Sequence, residues 1–240
     1  MDTGLSIERY GAWRVLTAGG EKFDRAVVEA VIRQKNLTVL AELKNDRRSL
    51  VRVVRLDGRR MVLKAPREKN RRPWIRFTTL YRHGAAFASF VGMQRLKRLG
   101  IDSSRPVMAL EKRRWGMVVD SWLLYEYVDG RVCGPGEYQM VVGQLAAIHA
   151  GGLLHGDPQI RNFLFDGTAV VTIDAAPKRP LWGGISRYGE FFYLRHSAPD
   201  IEAFLDLPRH RPACIAAAIL CRLYWGWRDL KKKWKRRRKH

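Results

Sequence analysis

Apolar and polar residues alternate in short runs through the first half of the chain, which is the pattern of half-buried β-strands. The pair Asp57-Gly58 separates two such runs and predicts a tight hairpin. A further run, from Trp115 to Val128, predicts one or two strands that end at Asp129-Gly130. The strands predicted on either side of the hairpin and before it cover residues 37–43, 50–56 and 60–65. An antiparallel sheet is therefore expected in the N-terminal part.

A second pattern, with apolar residues three or four positions apart, predicts helices. One such helix covers residues 21–34, with Phe23, Val27, Ala30 and Val31 on a single face. Further helices are predicted over 77–99, 137–150 and most of the chain past residue 190, and short strands over 162–165 and 170–173. The basic run 67–76 contains Pro73 and is predicted to form a loop.

Glycine and proline cluster at Gly130, Gly134, Pro135 and Gly136, which indicates a break between two parts of the chain. We therefore predict two domains. The first, 1–128, holds an N-terminal helix, the antiparallel sheet, one long helix and a final strand. The second, 129–240, holds loops that carry polar residues, then a helical C-terminus with a basic tail. The predicted fold class is α+β.

The charge of the chain is far from balanced. Forty-five Lys and Arg against 23 Asp and Glu give a net charge of +22 over 240 residues. A charge of this size favours a polyanionic partner, and three classes fit: nucleic acid, an anionic membrane surface or an anionic substrate. The three cysteines form no C-x-x-C pair, so neither a disulfide framework nor a structural zinc site is expected.

Two sequence features bear on the location of the protein, namely the absence of a secretory-signal pattern and the absence of an apolar stretch long enough to span a membrane. Residues 1–20 show no apolar core of a secretory signal. The longest apolar stretch, Ala213 to Trp227, is interrupted by Arg222 and is too short to span a bilayer. The chain is therefore expected to be cytoplasmic.

The most informative segment is His155-Gly156-Asp157-Pro158-Gln159-Ile160-Arg161-Asn162-Phe163-Leu164, followed by Ile173-Asp174. Phosphoryl transfer needs a carboxylate that accepts the hydroxyl proton, oxygen ligands for Mg²⁺ and a cation on the phosphates. Asp157 fits the base, and Asn162 and Asp174, twelve residues apart, offer the hard oxygen ligands that Mg²⁺ prefers. Lys64, in Met61-Val62-Leu63-Lys64 on the third predicted strand, fits the cation.

These motifs, in this order, resemble the kinase superfamily, and within it the lipopolysaccharide core heptose kinases of Gram-negative bacteria, especially the heptose II type. The resemblance extends from about Leu37 to Arg195 and includes H-G-D-P-x-x-x-N-F and the hinge Tyr125-Glu126-Tyr127-Val128-Asp129-Gly130. It implies a two-lobed protein-kinase-like fold with a small β-rich N-lobe and a mostly helical C-lobe. It implies ATP and Mg²⁺ as cofactors and phosphorylation of a heptose hydroxyl, with a lipopolysaccharide core or lipid A-core as the acceptor.

The resemblance also implies individual roles. Asp157 is the base, and His155 orients the backbone beside it. Asn162 and Asp174 hold Mg²⁺, and Lys64 contacts the α- and β-phosphates. The backbone C=O of Glu126 and the backbone N–H of Val128 bind adenine.

The chain departs from the kinase pattern at three points. Residues 77–100 contain no acidic side chain that would pair with Lys64, the turn near Asn45–Arg48 has no glycine, and Asp174-Ala175-Ala176 stands in place of D-F-G. Three alternatives therefore stay open: a kinase for another core sugar or for a protein, a kinase-like scaffold without activity, and a basic nucleic-acid-binding protein.

The C-terminal tail is the most basic part of the chain. Eight of the nine residues from Lys231 to Lys239 are Lys or Arg, and Trp225, Trp227 and Trp234 lie among or before them. A basic helix with an aromatic face favours binding to an anionic membrane, so the protein is expected to lie on the cytoplasmic face of the inner membrane. Nucleic acid is the less favoured partner because no base-reading module is present.

Overall fold

A computed structural model describes residues 4–19 and 24–237. The chain divides into two compact units. The first extends to Arg98 and resumes over Ser103–Asp129, and the second combines Leu99–Asp102 with the chain from Gly130 onward. The residues Leu99–Asp102 thus belong with the C-terminal unit although they precede the last strands of the first unit.

The first unit is built on a seven-stranded sheet in which every neighbouring pair is antiparallel. The strand order is β1-β2-β6-β7-β5-β4-β3. The strands are β1 Leu5–Tyr10, β2 Trp13–Ala18, β3 Thr38–Asn45, β4 Leu50–Leu56, β5 Arg59–Ala65, β6 Pro106–Arg114 and β7 Met117–Glu126.

The predicted hairpin at Asp57-Gly58 is confirmed. Leu56 pairs with Arg59, and both turn residues have positive φ, 48° at Asp57 and 75° at Gly58. This is the conformation of a two-residue turn whose twist matches the flanking strands, and Gly58 adopts it at no steric cost. The same geometry recurs between β6 and β7 at Trp115-Gly116, a pair that the sequence pattern did not identify as a turn.

Helices cover both faces of this sheet. They are α1 Arg25–Arg33, α2 Arg67–Arg71, α3 Pro73–Thr78 and α4 Ala85–Arg98. Val28 and Val31 of α1 share one core with Leu63 and Leu124, whereas Phe87 and Phe90 of α4 belong to another with Val62 and Leu123. Because successive strand residues point to opposite faces, neighbouring residues of β5 and β7 supply both cores.

Two predictions for the first unit were wrong, one of a loop and one of the start of a helix. Residues 67–76 are not a loop, because α2 and α3 lie there and Pro73 occupies the first turn of α3, where its missing N–H costs nothing. The long helix does not start at 77. It starts at Ala85, after Gly84 donates its backbone N–H to the buried carboxylate of Glu111 at 2.6 Å. Phe23, predicted for the first helix, lies outside the described residues.

The second unit is mostly helical. Its elements are α5 Tyr138–Ala150, β8 Arg131–Val132, β9 Phe163–Phe165, β10 Val170–Thr172, α6 Gly183–Ser197 and α7 Pro212–Arg237. Short 3₁₀ turns cover Pro135–Glu137, Ile160–Asn162 and Pro199–Phe204. Val141 and Leu145 of α5 pack with Phe163, Leu194 and Ile201 in the core of this unit. Among the described residues, none of the helices combines the length and the apolar character needed to cross a bilayer.

Candidate active site

The loop between α5 and β9, residues 151–162, carries three of the predicted site residues, His155, Asp157 and Asn162, and we call it the Asp157 loop. Its start is fixed by two backbone hydrogen bonds between Leu154 and Lys178, of 2.8 and 3.3 Å. Gly156 then has a φ of +93°, and a Cβ there would lie 2.4 Å from the carbonyl oxygen of Ala176. Only glycine fits this close approach, so the turn that presents Asp157 depends on it.

Asp157 and Asn162 are held together by direct hydrogen bonds. The side-chain amide of Asn162, which is buried, donates to the backbone oxygen of Asp157 at 2.8 Å and approaches the carboxylate Oδ2 at 3.5 Å. The other carboxylate oxygen, Oδ1, accepts from the Gln159 amide at 2.7 Å. The Asp157 carboxylate is thus oriented by two side chains of its own loop.

Asp174 follows β10 and is brought next to this pair by the backbone. The N–H of Ile173 donates to the carbonyl oxygen of Asn162 at 2.8 Å, and the N–H of Ala176 donates to that of His155 at 2.9 Å. Asp174 itself has a φ of 51°, in the left-handed region that Asp tolerates better than most residues. The β9–β10 hairpin therefore returns Asp174 to the Asp157 loop.

His155 lies at the centre of this group and is fully buried. Its Nδ1 accepts the backbone N–H of Asp157 at 3.3 Å, and its ring packs 5.1 Å from that of Phe163. Burial holds the pKa of His155 below its usual range, although the carboxylates of Glu190, Asp157 and Asp174 act in the opposite direction. The ring is therefore neutral at pH 7, and its contact fixes the backbone rather than the reacting atoms.

Glu190 of α6 is a site residue that the sequence pattern did not identify. Its buried carboxylate accepts the backbone N–H groups of His155 at 2.8 Å and Gly156 at 2.6 Å, and it lies 3.0 Å from Nε2 of His149. The one available signal was an acidic residue four positions before Leu194, on the buried side of a predicted helix. His149 contacts this carboxylate and the ring of Phe191.

The donors gathered here fit a magnesium ion. Asn162 uses its amide nitrogen toward Asp157, which leaves its carbonyl oxygen as a ligand beside the carboxylates of Asp157 and Asp174. Carboxylate and amide oxygens are the ligands that Mg²⁺ prefers. Within residues 4–19 and 24–237, no cluster of three or more His, Cys, Asp or Glu side chains has the geometry of a metal site.

The remaining predicted residues, Lys64, Glu126 and Val128, lie in the first unit. Lys64 is in β5, where it is paired with Val51 on one side and Leu123 on the other. Glu126 ends β7, and its backbone N–H donates to Arg105 at 2.9 Å. Val128 lies two residues after the end of β7. As the sequence indicated, α4 contains no acidic residue.

No protein-family model matches the chain, and no curated protein matches it. Solved structures do match. The chain is similar to one in a structure described as "WaaP in complex with acyl carrier protein", with a TM-score of 0.52 and 20% sequence identity. The similarity covers 85% of this chain and 91% of that chain. An identity this low establishes the fold alone: a β-rich N-terminal sheet and a helical C-terminal part in a WaaP-like kinase fold, which confirms the predicted fold class.

Proposed function

We propose that the protein is an ATP-dependent kinase that phosphorylates a heptose hydroxyl of the lipopolysaccharide inner core, with heptose II as the acceptor sugar. The observation that carries the proposal is the grouping of Asp157, Asn162 and Asp174 around His155 within a WaaP-like kinase fold. The choice of a heptose, and of heptose II, rests on the sequence resemblance.

Asp157 accepts the proton of the acceptor hydroxyl. The hydroxyl oxygen forms a bond to the γ-phosphorus, and the bond from that phosphorus to the bridging oxygen breaks and leaves ADP. Gln159 and Asn162 hold the Asp157 carboxylate in one orientation, which reduces the reorganisation needed for proton transfer. A positioned base of this kind contributes about 10²- to 10⁴-fold in rate.

Asn162 and Asp174 would hold Mg²⁺, which neutralises charge on the β- and γ-phosphates when bound. Lys64 would contact the α- and β-phosphates. The backbone C=O of Glu126 and N–H of Val128 would bind adenine. The assignments of Lys64, Glu126 and Val128 rest on the sequence resemblance and on their positions in β5, at the end of β7 and two residues after it.

The surface of α7 supports a location at the cytoplasmic face of the inner membrane. Ile219, Leu223, Trp227, Leu230 and Trp234 recur every three or four residues and form what we call the α7 stripe. These side chains are 54 to 67% exposed. In the sequence, Lys and Arg residues accompany the stripe, and Lys231 lies over the Trp227 ring, with its Nζ 4.8 Å from the ring centre. A helix with exposed Trp and Leu and a basic flank suits an anionic bilayer surface. Residues 238–240 of the basic tail lie outside the described part of the chain.

The membrane location and the net charge of +22 have one common explanation in this proposal. A lipid A-core acceptor carries phosphates and carboxylates and is itself anchored in the membrane. A basic protein with an interfacial helix is attracted to both the acceptor and the surface around it. The similar WaaP chain is described in complex with acyl carrier protein, so a carrier protein is the competing occupant of the α7 stripe.

The decisive experiment incubates the purified protein with ATP, Mg²⁺ and delipidated core oligosaccharide and maps added phosphate by mass spectrometry. We expect one phosphate on a heptose, and its loss in Asp157→Asn. The matched control is Asp166→Asn. Asp166 is exposed in the turn between β9 and β10, and its carboxylate accepts the backbone N–H groups of Thr168 and Ala169. Phosphate on a different core sugar would reassign the acceptor. If no acceptor supports turnover of ATP, the protein is better described as a kinase-like scaffold without activity. If phosphate is transferred to a protein and not to the oligosaccharide, a protein kinase is favoured.

A further inference from the structure

A cavity of about 410 Å³ opens directly beside Asp157, and it lies within the second unit. Its walls come from the Asp157 loop, the segment after β10, and helices α6 and α7. Its volume is within the range of about 300–1,000 Å³ that is usual for small-molecule sites. The side chains of Asp157 and Glu190 already have described roles, whereas those of Lys178, Trp182, Tyr193 and Tyr224 do not.

One end of the cavity is polar and is formed by Asp157, the proposed base, and Tyr193. The Gln159 amide, which binds the Asp157 carboxylate, also lies 3.4 Å from the hydroxyl of Tyr193. Burial, together with the negative charge of Asp157, raises the pKa of Tyr193. Its hydroxyl is therefore protonated at neutral pH, and it can donate a hydrogen bond to a ligand oxygen close to the base.

A single cation faces the same space among the described lining residues. Lys178 has its backbone paired with Leu154 at 2.8 and 3.3 Å, so its position relative to the Asp157 loop is fixed. Its side chain is exposed. An ammonium group so placed can attract an anionic group of a ligand whose hydroxyl lies at Asp157.

The other walls are aromatic. Trp182 and Tyr224 line the cavity and are 67% and 46% exposed. Large aromatic faces beside convergent polar groups suit a ring that has an apolar C–H face and a hydroxylated edge, which is the chemistry of a sugar. Tyr224 is steadied by Arg228, whose guanidinium lies 5.6 Å from its ring centre.

We infer that this cavity is the acceptor subsite and that Lys178 determines its preference for an anionic saccharide, one with a phosphate or carboxylate near the reacting hydroxyl. The inference rests on the proposed kinase function for the role of Asp157. Binding of the saccharide does not require turnover, so the two are tested separately. Helix α7 lines the cavity through Cys221 and Tyr224 and also carries the α7 stripe, so a membrane-anchored acceptor is held beside the helix that faces the membrane.

The first test compares three variants on a delipidated anionic core oligosaccharide and on maltotriose, a neutral saccharide. Lys178→Gln should weaken binding of the anionic saccharide on the order of tenfold, because a charge-assisted contact is lost. Lys178→Arg should bind it almost as well as the parent. Arg179→Gln removes an equal charge from the neighbouring exposed position and should change binding less than twofold. Equal effects of Lys178→Gln and Arg179→Gln would show only a general charge effect and would overturn the role of Lys178.

The second test uses Cys221 as a reporter inside the cavity. It is partly buried, and burial raises the pKa of its thiol, so alkylation by N-ethylmaleimide is followed at pH 8.5 by mass spectrometry. The anionic oligosaccharide should slow alkylation of Cys221 at least fivefold, and buried Cys133 and Cys214 serve as internal references. An unchanged Cys221 rate at saturating saccharide would place the acceptor elsewhere.

The two tests separate failure of the subsite from failure of the kinase function. Protection of Cys221 with no phosphate transfer keeps the saccharide site and rejects the kinase. Phosphate transfer that is insensitive to Lys178→Gln, with Cys221 unprotected, keeps the kinase and rejects the subsite.

Discussion

The carboxylate of Glu190 accepts the backbone N–H of His155 at 2.8 Å across 35 residues of sequence. The same carboxylate binds the N–H of Gly156 and faces His149, so one side chain of α6 satisfies one buried and one partly buried donor of the Asp157 loop. Buried N–H groups that lose their acceptor carry the full cost of desolvation. Glu190 therefore acts as a positioning residue for the loop that presents Asp157.

Glu190→Ala should destabilise the protein by about 3–5 kcal/mol, because the buried N–H of His155, the partly buried N–H of Gly156 and the His149 ring lose their partner. Glu190→Gln keeps one acceptor oxygen and should cost less. Urea unfolding measures both, and Glu202→Ala is the control, since this exposed carboxylate meets only the surface side chains of Arg195 and Arg209. In variants that remain folded, kcat should fall while the KM for ATP stays near that of the parent. A Glu190→Ala protein as stable as Glu202→Ala would contradict this role.

Asp157→Ala should lower phosphate transfer by about 10²- to 10⁴-fold and leave nucleotide binding nearly intact, since it removes the proposed proton acceptor. Turnover and equilibrium nucleotide binding are measured on the same preparation. Activity within threefold of the parent would remove Asp157 from the base role.

Asp174→Asn should weaken metal-dependent ATP binding as well as the rate. A carboxylate is lost from the proposed ligands of Mg²⁺, whereas the hairpin that places residue 174 is held by the hydrogen bond from the N–H of Ile173 to the carbonyl oxygen of Asn162. Nucleotide affinity is titrated against Mg²⁺ concentration in parent and variant. The same metal dependence in both would move the metal site away from Asp174.

Stability should fall in acid partly because of His155. Burial lowers the pKa of His155 in the folded protein. Above the pKa of the unfolded chain, about 6.5, His155 is neutral in both the folded and the unfolded state, so it adds no pH dependence to the free energy of unfolding. Below that pH the unfolded chain binds a proton that the folded chain excludes, and stability falls by at most about 1.4 kcal/mol per pH unit. His155→Asn keeps an acceptor for the N–H of Asp157 and lacks this effect. Urea unfolding from pH 7.5 to 5 should show the two proteins converging in acid, and parallel curves would refute the buried neutral imidazole.

Deleting residues 231–240 should weaken binding to anionic vesicles and leave turnover on a soluble acceptor almost unchanged. The deleted segment carries eight Lys and Arg, each worth about 1 kcal/mol near an anionic leaflet. The attraction should decline with salt, because the Debye length falls from about 10 Å at 0.1 M to about 3 Å at 1 M.

Trp227→Ala combined with Trp234→Ala keeps the charge and removes two aromatic anchors of the α7 stripe, so it separates apolar from electrostatic binding. Co-sedimentation with anionic and neutral vesicles measures both contributions. Equal sedimentation of truncated and full chains would reject the membrane role. Binding of acyl carrier protein by the stripe, with no vesicle binding, would reassign it to a protein partner.

Local patterns in the sequence determined much of this molecule. Asp57-Gly58 encoded its hairpin because the turn conformation depends on the two residues themselves. The spacing of Asp157, Asn162 and Asp174 encoded their grouping for a similar reason. Only a short loop and the β9–β10 hairpin separate them. A short hairpin has few possible conformations, and it brings its two ends close together.

Contacts between distant residues were decided by the tertiary structure alone. The segment Met108-Ala109-Leu110-Glu111-Lys112 consists of good helix formers, yet it lies in β6 because β2 and β7 bond it on both sides. In the sequence, nothing distinguishes Glu190 from other acidic residues of a predicted helix. In the structure, its buried carboxylate accepts the N–H groups of His155 and Gly156. Periodicity reports which side of an element is apolar, whereas the identity of the partner across the core depends on packing that no local pattern contains.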